Sequence, residues 1–148
     1  MFLPYIVVLV SLCLSSISQA SQGAATYGCD KEYPKIKVSF QKAYSSKDFQ
    51  KAYKTLEEFI ESCDWIKDNR MYWIWSDLSL AAYRLKDAAK CLAAIGSAED
   101  FAKNYGPDKY SDERLKAKMT PPTAAMKALR HNKRLCLDLQ KSTQSSDR

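Results

Sequence analysis

Five cysteines, one histidine and a short run of carboxylates are the side chains of this 148-residue chain whose types suggest chemistry. Cys13 sits in an N-terminal apolar run, which leaves Cys29, Cys63, Cys91 and Cys136 for the folded part. No two of these form Cys-x-x-Cys, and His131 is the single histidine, so neither a tetrahedral zinc site nor a thioredoxin-like redox pair has its ligands. An even cysteine count in an exported chain favours disulfides, and four cysteines allow three connectivities. Glu57, Glu58 and Glu61 follow an apolar helix entry with no second acid placed across a cleft, which reads as a solvated face. His131 lies among basic residues, with no Ser or Cys nucleophile and carboxylate arranged about it, and no Gly-rich phosphate loop occurs. The inventory points to a protein that binds and does not catalyse, with no cofactor and no metal.

Residues 6–14 form a short apolar run followed by Ser15, Ser16, Ser18 and Ala20. This pattern resembles a secretory leader, with small residues at the two positions a signal peptidase reads and cleavage after Ala20. The run falls well short of the roughly 20 residues that span a bilayer. The expected organisation is therefore a leader at 1–20, a single helical domain at 21–141 and a frayed tail at 142–148, exported to the periplasm or the extracellular space. About 128 residues remain after the leader, enough for one helical core assisted by cross-links.

The elements that must position these residues read almost entirely as helix. Ile36, Phe40 and Ala43 recur at helical spacing over residues 34–44, with Pro34 in the first turn. Asp48 caps a second helix carrying Phe49, Ala52, Tyr53, Leu56, Phe59 and Ile60 and ending near Cys63. After a connector at 64–69, Asn69 is the expected cap of a third helix with Tyr72, Trp75, Leu78, Ser79, Ala82 and Tyr83. Asp87 caps a fourth with Ala88, Cys91, Leu92 and Ile95, stopping before Gly96, and Ser97 starts a short helix through Asn104. Gly106-Pro107 is a break, residues 112–119 form a brief helix, and Pro121-Pro122 leads into a final helix from Thr123 to about Gln140.

The two hairpins echo each other. Tyr44-Ser-Ser-Lys-Asp and Tyr83-Arg-Leu-Lys-Asp each place Lys-Asp between two helical patterns, with Lys47 and Lys86 39 residues apart. Both units resemble the tetratricopeptide repeat, a helix-turn-helix unit of 34 residues. In the second unit Trp75, Leu78 and Ser79 fall where the repeat has its Trp, Leu and small residue, and Cys91, Ile95 and Ala98 follow in the second helix. In the first unit Phe49, Ala52 and Leu56 match the second helix, while Ile36, Ser39 and Phe40 match the first loosely. The chain departs from the family in lacking its terminal Pro, in inserting about five residues near positions 65–70, and in having two units where a solenoid ordinarily has three or more. The resemblance covers residues 33–98 and implies an all-α fold of stacked hairpins closed by a C-terminal capping helix and stabilised by disulfides. It also implies the cysteine pairing, because a hairpin sets the start of its first helix beside the end of its second: Cys29 with Cys63, and Cys91 with Cys136 tying the second hairpin to the cap.

Charge is distributed unevenly. Residues 21–108 hold thirteen Lys or Arg against thirteen Asp or Glu, while residues 109–148 hold ten against four, so the whole net charge of +6 lies in the last quarter. Lys127, Arg130, Lys133, Arg134 and Lys141 form a basic face on the final helix, suited to an acidic protein, an anionic lipid or a cell-wall polymer; export argues against nucleic acid. The aromatic residues Trp65, Tyr72, Trp73 and Trp75 surround the inter-repeat connector, with Trp75 expected in the core and Trp73 facing elsewhere. In the family the concave groove is lined mainly by first helices, which implicates Lys35, Lys42, Trp73, Asp77 and Arg84. The expected function is an exported, non-catalytic module that binds a protein or peptide. The alternative is a secreted or periplasmic inhibitor or immunity-type protein that blocks a hydrolase.

Overall fold

The computed structural model describes residues 22–63 and 66–146, so the expected leader at 1–20 and Trp65 lie outside the described residues. The chain forms α1 (Gln22–Ser45), α2 (Phe49–Ser62), α3 (Arg70–Arg84), α4 (Ala88–Tyr105), α5 (Glu113–Met119) and α6 (Thr123–Ser146), with a 3-10 turn at Pro107–Lys109 and no strand among the described residues. The fold is all-α, built as two stacked helical hairpins and a last helix laid against the second.

The two hairpin turns are the same structure repeated. Lys47 and Lys86 take left-handed backbone angles, φ 62° and 63°. Their N–H groups donate to the Tyr44 and Tyr83 carbonyls, and those of Asp48 and Asp87 to the Ala43 and Ala82 carbonyls. These are the paired bonds of a Schellman helix end, which satisfy carbonyls the helix itself leaves without partners. Asp48 and Asp87 then cap the next helices as expected, accepting from the Lys51 and Lys90 N–H groups. One aspartate thus ends one helix and begins the next, which keeps each turn tight.

Each helix turns one apolar face inward. Ala52, Leu56, Tyr72, Ile74, Ala81, Ala82, Cys91, Ala125 and Cys136 are fully buried, and Phe101 gathers the rings of Tyr72, Trp75 and Tyr105 with centroids 5.1–5.4 Å away. Cys29 is bonded to Cys63 and Cys91 to Cys136, with Cα–Cα distances of 5.9 and 5.6 Å, the pairing the hairpin architecture implies. The first bond holds the open end of hairpin one, and the second ties α4 to α6.

Several boundaries differ from those the sequence suggests. α1 begins twelve residues before Pro34, which stands inside the helix, exposed. Pro34 has no N–H for the Asp30 carbonyl, and the upstream turns are held by buried Cys29 and by Tyr33 against Phe59. Asn69 is not the side-chain cap of α3: its amide donates instead to the Thr120 carbonyl, while the Asp68 carboxylate accepts from the Arg70 N–H. α4 does not stop at Gly96; it continues to Tyr105 because Ala94, Ile95, Ala98 and Phe101 share one buried face, and that packing outweighs the roughly 1 kcal/mol a mid-helix Gly costs. The real stop is Gly106, where an added Cβ would sit 2.5 Å from the Ala102 carbonyl oxygen. α6 continues to Ser146, past the expected end near Gln140; the Thr143 and Ser145 hydroxyls donate back to carbonyls one turn earlier.

A buried amide fixes α6 on α3. Asn132 is 4% exposed, and its Nδ2 donates to the Ser76 carbonyl at 2.9 Å and to Ser79 Oγ at 3.1 Å. Ser79 is the small residue at the heart of the second unit, and its hydroxyl bonds the same Ser76 carbonyl. Sliding α6 along α3 would strand these groups without water, so the contact sets register as well as affinity. Asn132→Ala is expected to lower the unfolding free energy by about 2 kcal/mol, read as a shift in urea midpoint.

Candidate binding surfaces

Two surfaces contain the residues singled out by sequence. The first lies where α1 runs beside α3. Positions 30, 37 and 44 of α1 are one heptad apart, and each meets the residue 40 places later: Arg70 Nη1 reaches Asp30 at 2.6 Å, Lys37 pairs with Asp77, and Arg84 Nε donates to the Tyr44 hydroxyl at 2.9 Å. Lys37 also lies 5.8 Å from the centroid of the Trp73 ring, which is half-buried against the core. The surface is thus a ladder of internal pairs. Asp77 and Arg84 are engaged by α1, and Trp73 is covered in part by Lys37.

Lys35 and Lys42 do not join that ladder. Each lies two positions from a ladder residue, about 200° around the helix, and both are exposed, with Lys35 bridging Glu32 at 2.7 Å. The five residues expected to line one groove therefore divide between two sides of α1 and α3. Lys37, Tyr44 and the pair Asp68–Arg70 are the participants that the sequence reading left out. For Lys37 and Tyr44 the signal was the recurrence of polar partners at a separation of 40, which also joins Asp30 to Arg70.

Electrostatics here follow burial. Asp68 is 4% exposed and receives the Arg70 guanidinium at 2.6–3.0 Å in a forked arrangement. Burial would raise its pKa, but the side-chain and backbone hydrogen bonds from Arg70 more than reverse that, holding the carboxyl below its ordinary value. Asp77 goes the other way: burial pushes it up, and Lys37 only partly offsets the shift. Burial also raises the nearby Tyr33 hydroxyl, assisted by the Asp77 charge.

The second surface is the outward side of α6. Lys127, Arg130, His131, Lys133 and Arg134 are all exposed, and with Leu137 they line one open, shallow depression. Lys133 bridges to Glu99 of α4 at 2.5 Å, and Lys141 lies 4.0 Å from Asp138. Among the described residues Lys127, Arg130 and Arg134 have no carboxylate within ion-pair distance. This face can attract an anionic partner without first breaking an internal bridge. Among the described residues no cluster of three His, Cys, Asp or Glu is placed to hold a metal, and no helix is long and apolar enough to cross a membrane.

Compared with protein-family models, curated proteins and solved structures, the chain matches none.

Proposed function

We propose that this chain is an exported, non-catalytic binding module of the tetratricopeptide-like kind, which uses the basic face of α6 to hold an acidic protein partner. The observation that carries the reading is the contrast between the two surfaces. On the α1/α3 side Asp30 pairs with Arg70 and Lys37 with Asp77, and Arg84 is held by the neutral Tyr44 hydroxyl, whereas Lys127, Arg130 and Arg134 stand together, exposed and without an ion pair among the described residues, on the outer side of α6. Export is supported by the two disulfides, which persist in oxidising compartments. The identically built turns at Lys47 and Lys86, 39 residues apart, support descent from one repeated unit.

The test is affinity purification from the exported fraction with the native chain and with a Lys127→Glu/Arg130→Glu/Arg134→Glu variant. Far-UV circular dichroism should match between the two. The native chain is expected to retain acidic proteins that 0.5 M salt releases and that the variant loses by tenfold or more, since three rim charges set encounter and orientation. Retention unchanged by the reversal would sink the reading. A tight one-to-one complex that silences a hydrolase would place the chain among inhibitors instead.

A further inference from the structure

The described helices leave one groove open between α4 and α6. α4 packs on α3 and reaches α2, where Lys90 Nζ sits 4.9 Å over the Tyr53 ring. α4 thus packs chiefly on α3 and α6 and meets α2 through a side-chain contact. α6 stands to hairpin two much as α3 stands to hairpin one: it packs on both α3 and α4, running antiparallel to α4 from the Cys91–Cys136 bond past Glu99–Lys133. Among the described residues no helix lies along the groove between α4 and α6. That groove is lined by Ile95, Ala98 and Ala102 from α4 and by Met126 and Leu129 from α6, with Glu99, Arg130 and Lys133 on its rim. The lining residues are spaced i, i+3 and i+7 on α4, and i and i+3 on α6, so two apolar stripes converge on a slot of about 90 Å³.

We infer that this groove receives one amphipathic, acidic helix of the partner protein, laid between α4 and α6. The inference rests on the proposed acidic partner and specifies how it is held. Three observations commit the occupant. The groove is bounded by two antiparallel helices whose apolar stripes face each other, so it suits a helix laid along it. The slot, about 90 Å³, is of a size to seat one branched aliphatic side chain. Its rim is cationic through Arg130 and Lys133, continuous with Lys127 and Arg134 on the outer face, so carboxylates one turn from the aliphatic anchor meet positive charge. Glu99, which now engages Lys133, is the one acidic rim residue and competes with the incoming carboxylates.

The probe is a phage-displayed library of helical peptides randomised along one face among Leu, Ala, Glu and Lys, panned on the full disulfide-bonded chain. Enriched peptides are expected to carry aliphatic residues at i and i+3 or i+4 flanked by Glu. Ala102→Leu fills the slot from a partly exposed position and is expected to weaken the best peptide at least tenfold with an unchanged thermal midpoint. Glu99→Ala changes only an exposed side chain and is expected to tighten binding several-fold by freeing Lys133. No enrichment above a non-amphipathic library, enrichment without acidic preference, or binding indifferent to both variants would overturn the inference. If Ala102→Leu and Glu99→Ala leave binding unchanged while the triple charge reversal on α6 abolishes it, the groove falls and the basic-face reading stands. Phosphatidylglycerol vesicles that bind in place of peptides, with the same sensitivity to Ala102→Leu, would overturn it in favour of a lipid surface.

Discussion

Replacing Cys91 and Cys136 together by Ala is expected to lower the unfolding free energy by about 4 kcal/mol, the largest loss foreseen for any single link in this chain. The bond closes a separation of 45 residues, and the chain-entropy estimate for a loop of that length is about 4 kcal/mol. Both sulfurs are fully buried, between α4 and α6, so the substitution also leaves space that the packed interior does not readily collapse into. Removing Cys29 and Cys63 forfeits a similar entropic term for a separation of 34, but it frees only the turns of α1 upstream of Pro34. The two losses should therefore differ in kind. The Cys91/Cys136 variant is expected to show an early urea transition in which α6 leaves, and the Cys29/Cys63 variant a shifted but single transition. A loss below 1 kcal/mol for the Cys91/Cys136 pair would mean that Asn132, Leu129 and Leu139 hold the cap unaided.

Much of this architecture was legible because its punctuation is local. Lys-Asp at each turn encodes a helix end and a helix start within four residues, and the two copies fold alike because bonds of i−3 and i−5 range fix them. The cysteine pairing followed from the hairpin topology. What the sequence hid was tertiary. Gly96 and Ser97 look like a stop, yet α4 continues because Phe101 completes an aromatic cluster with residues of α3 that no local window contains. Asn132 reads as one more polar residue in a basic helix, and its burial depends on Ser76 and Ser79, more than fifty positions away. The groove residues Lys35 and Lys42 were assigned by their helix and not by their side of it. Lys37 shows the difference, since two positions along a helix turn a side chain to the other face.

Arg70 provides the second large effect, and its size depends on pH. Arg70→Leu is expected to cost about 3 kcal/mol at pH 7, because it leaves the buried Asp68 carboxylate without the forked guanidinium that satisfies it; removal of one partner of a buried pair typically costs about 3–5 kcal/mol, and the partial exposure of Arg70 places this case at the lower end. In the native protein the Asp68 carboxyl titrates below its ordinary value. Its contribution is therefore fully present above the unfolded aspartate pKa of about 3.9 and is lost as the pH falls through the lower folded value. In the variant the order of effects reverses: burial persists, the side-chain hydrogen bonds and the positive charge of Arg70 are gone, and the carboxyl shifts above its unfolded value. Protonation then favours the folded variant, so the gap between native and variant stability should close as the pH falls from 7 to 3. Asp68→Asn in the Arg70→Leu background removes the stranded charge and is expected to recover more than half of the loss at pH 7. A gap that stays constant across that pH range, or a double variant no more stable than Arg70→Leu alone, would show that the cost comes from lost α1 contacts through Asp30 and Tyr33 and not from the buried carboxylate.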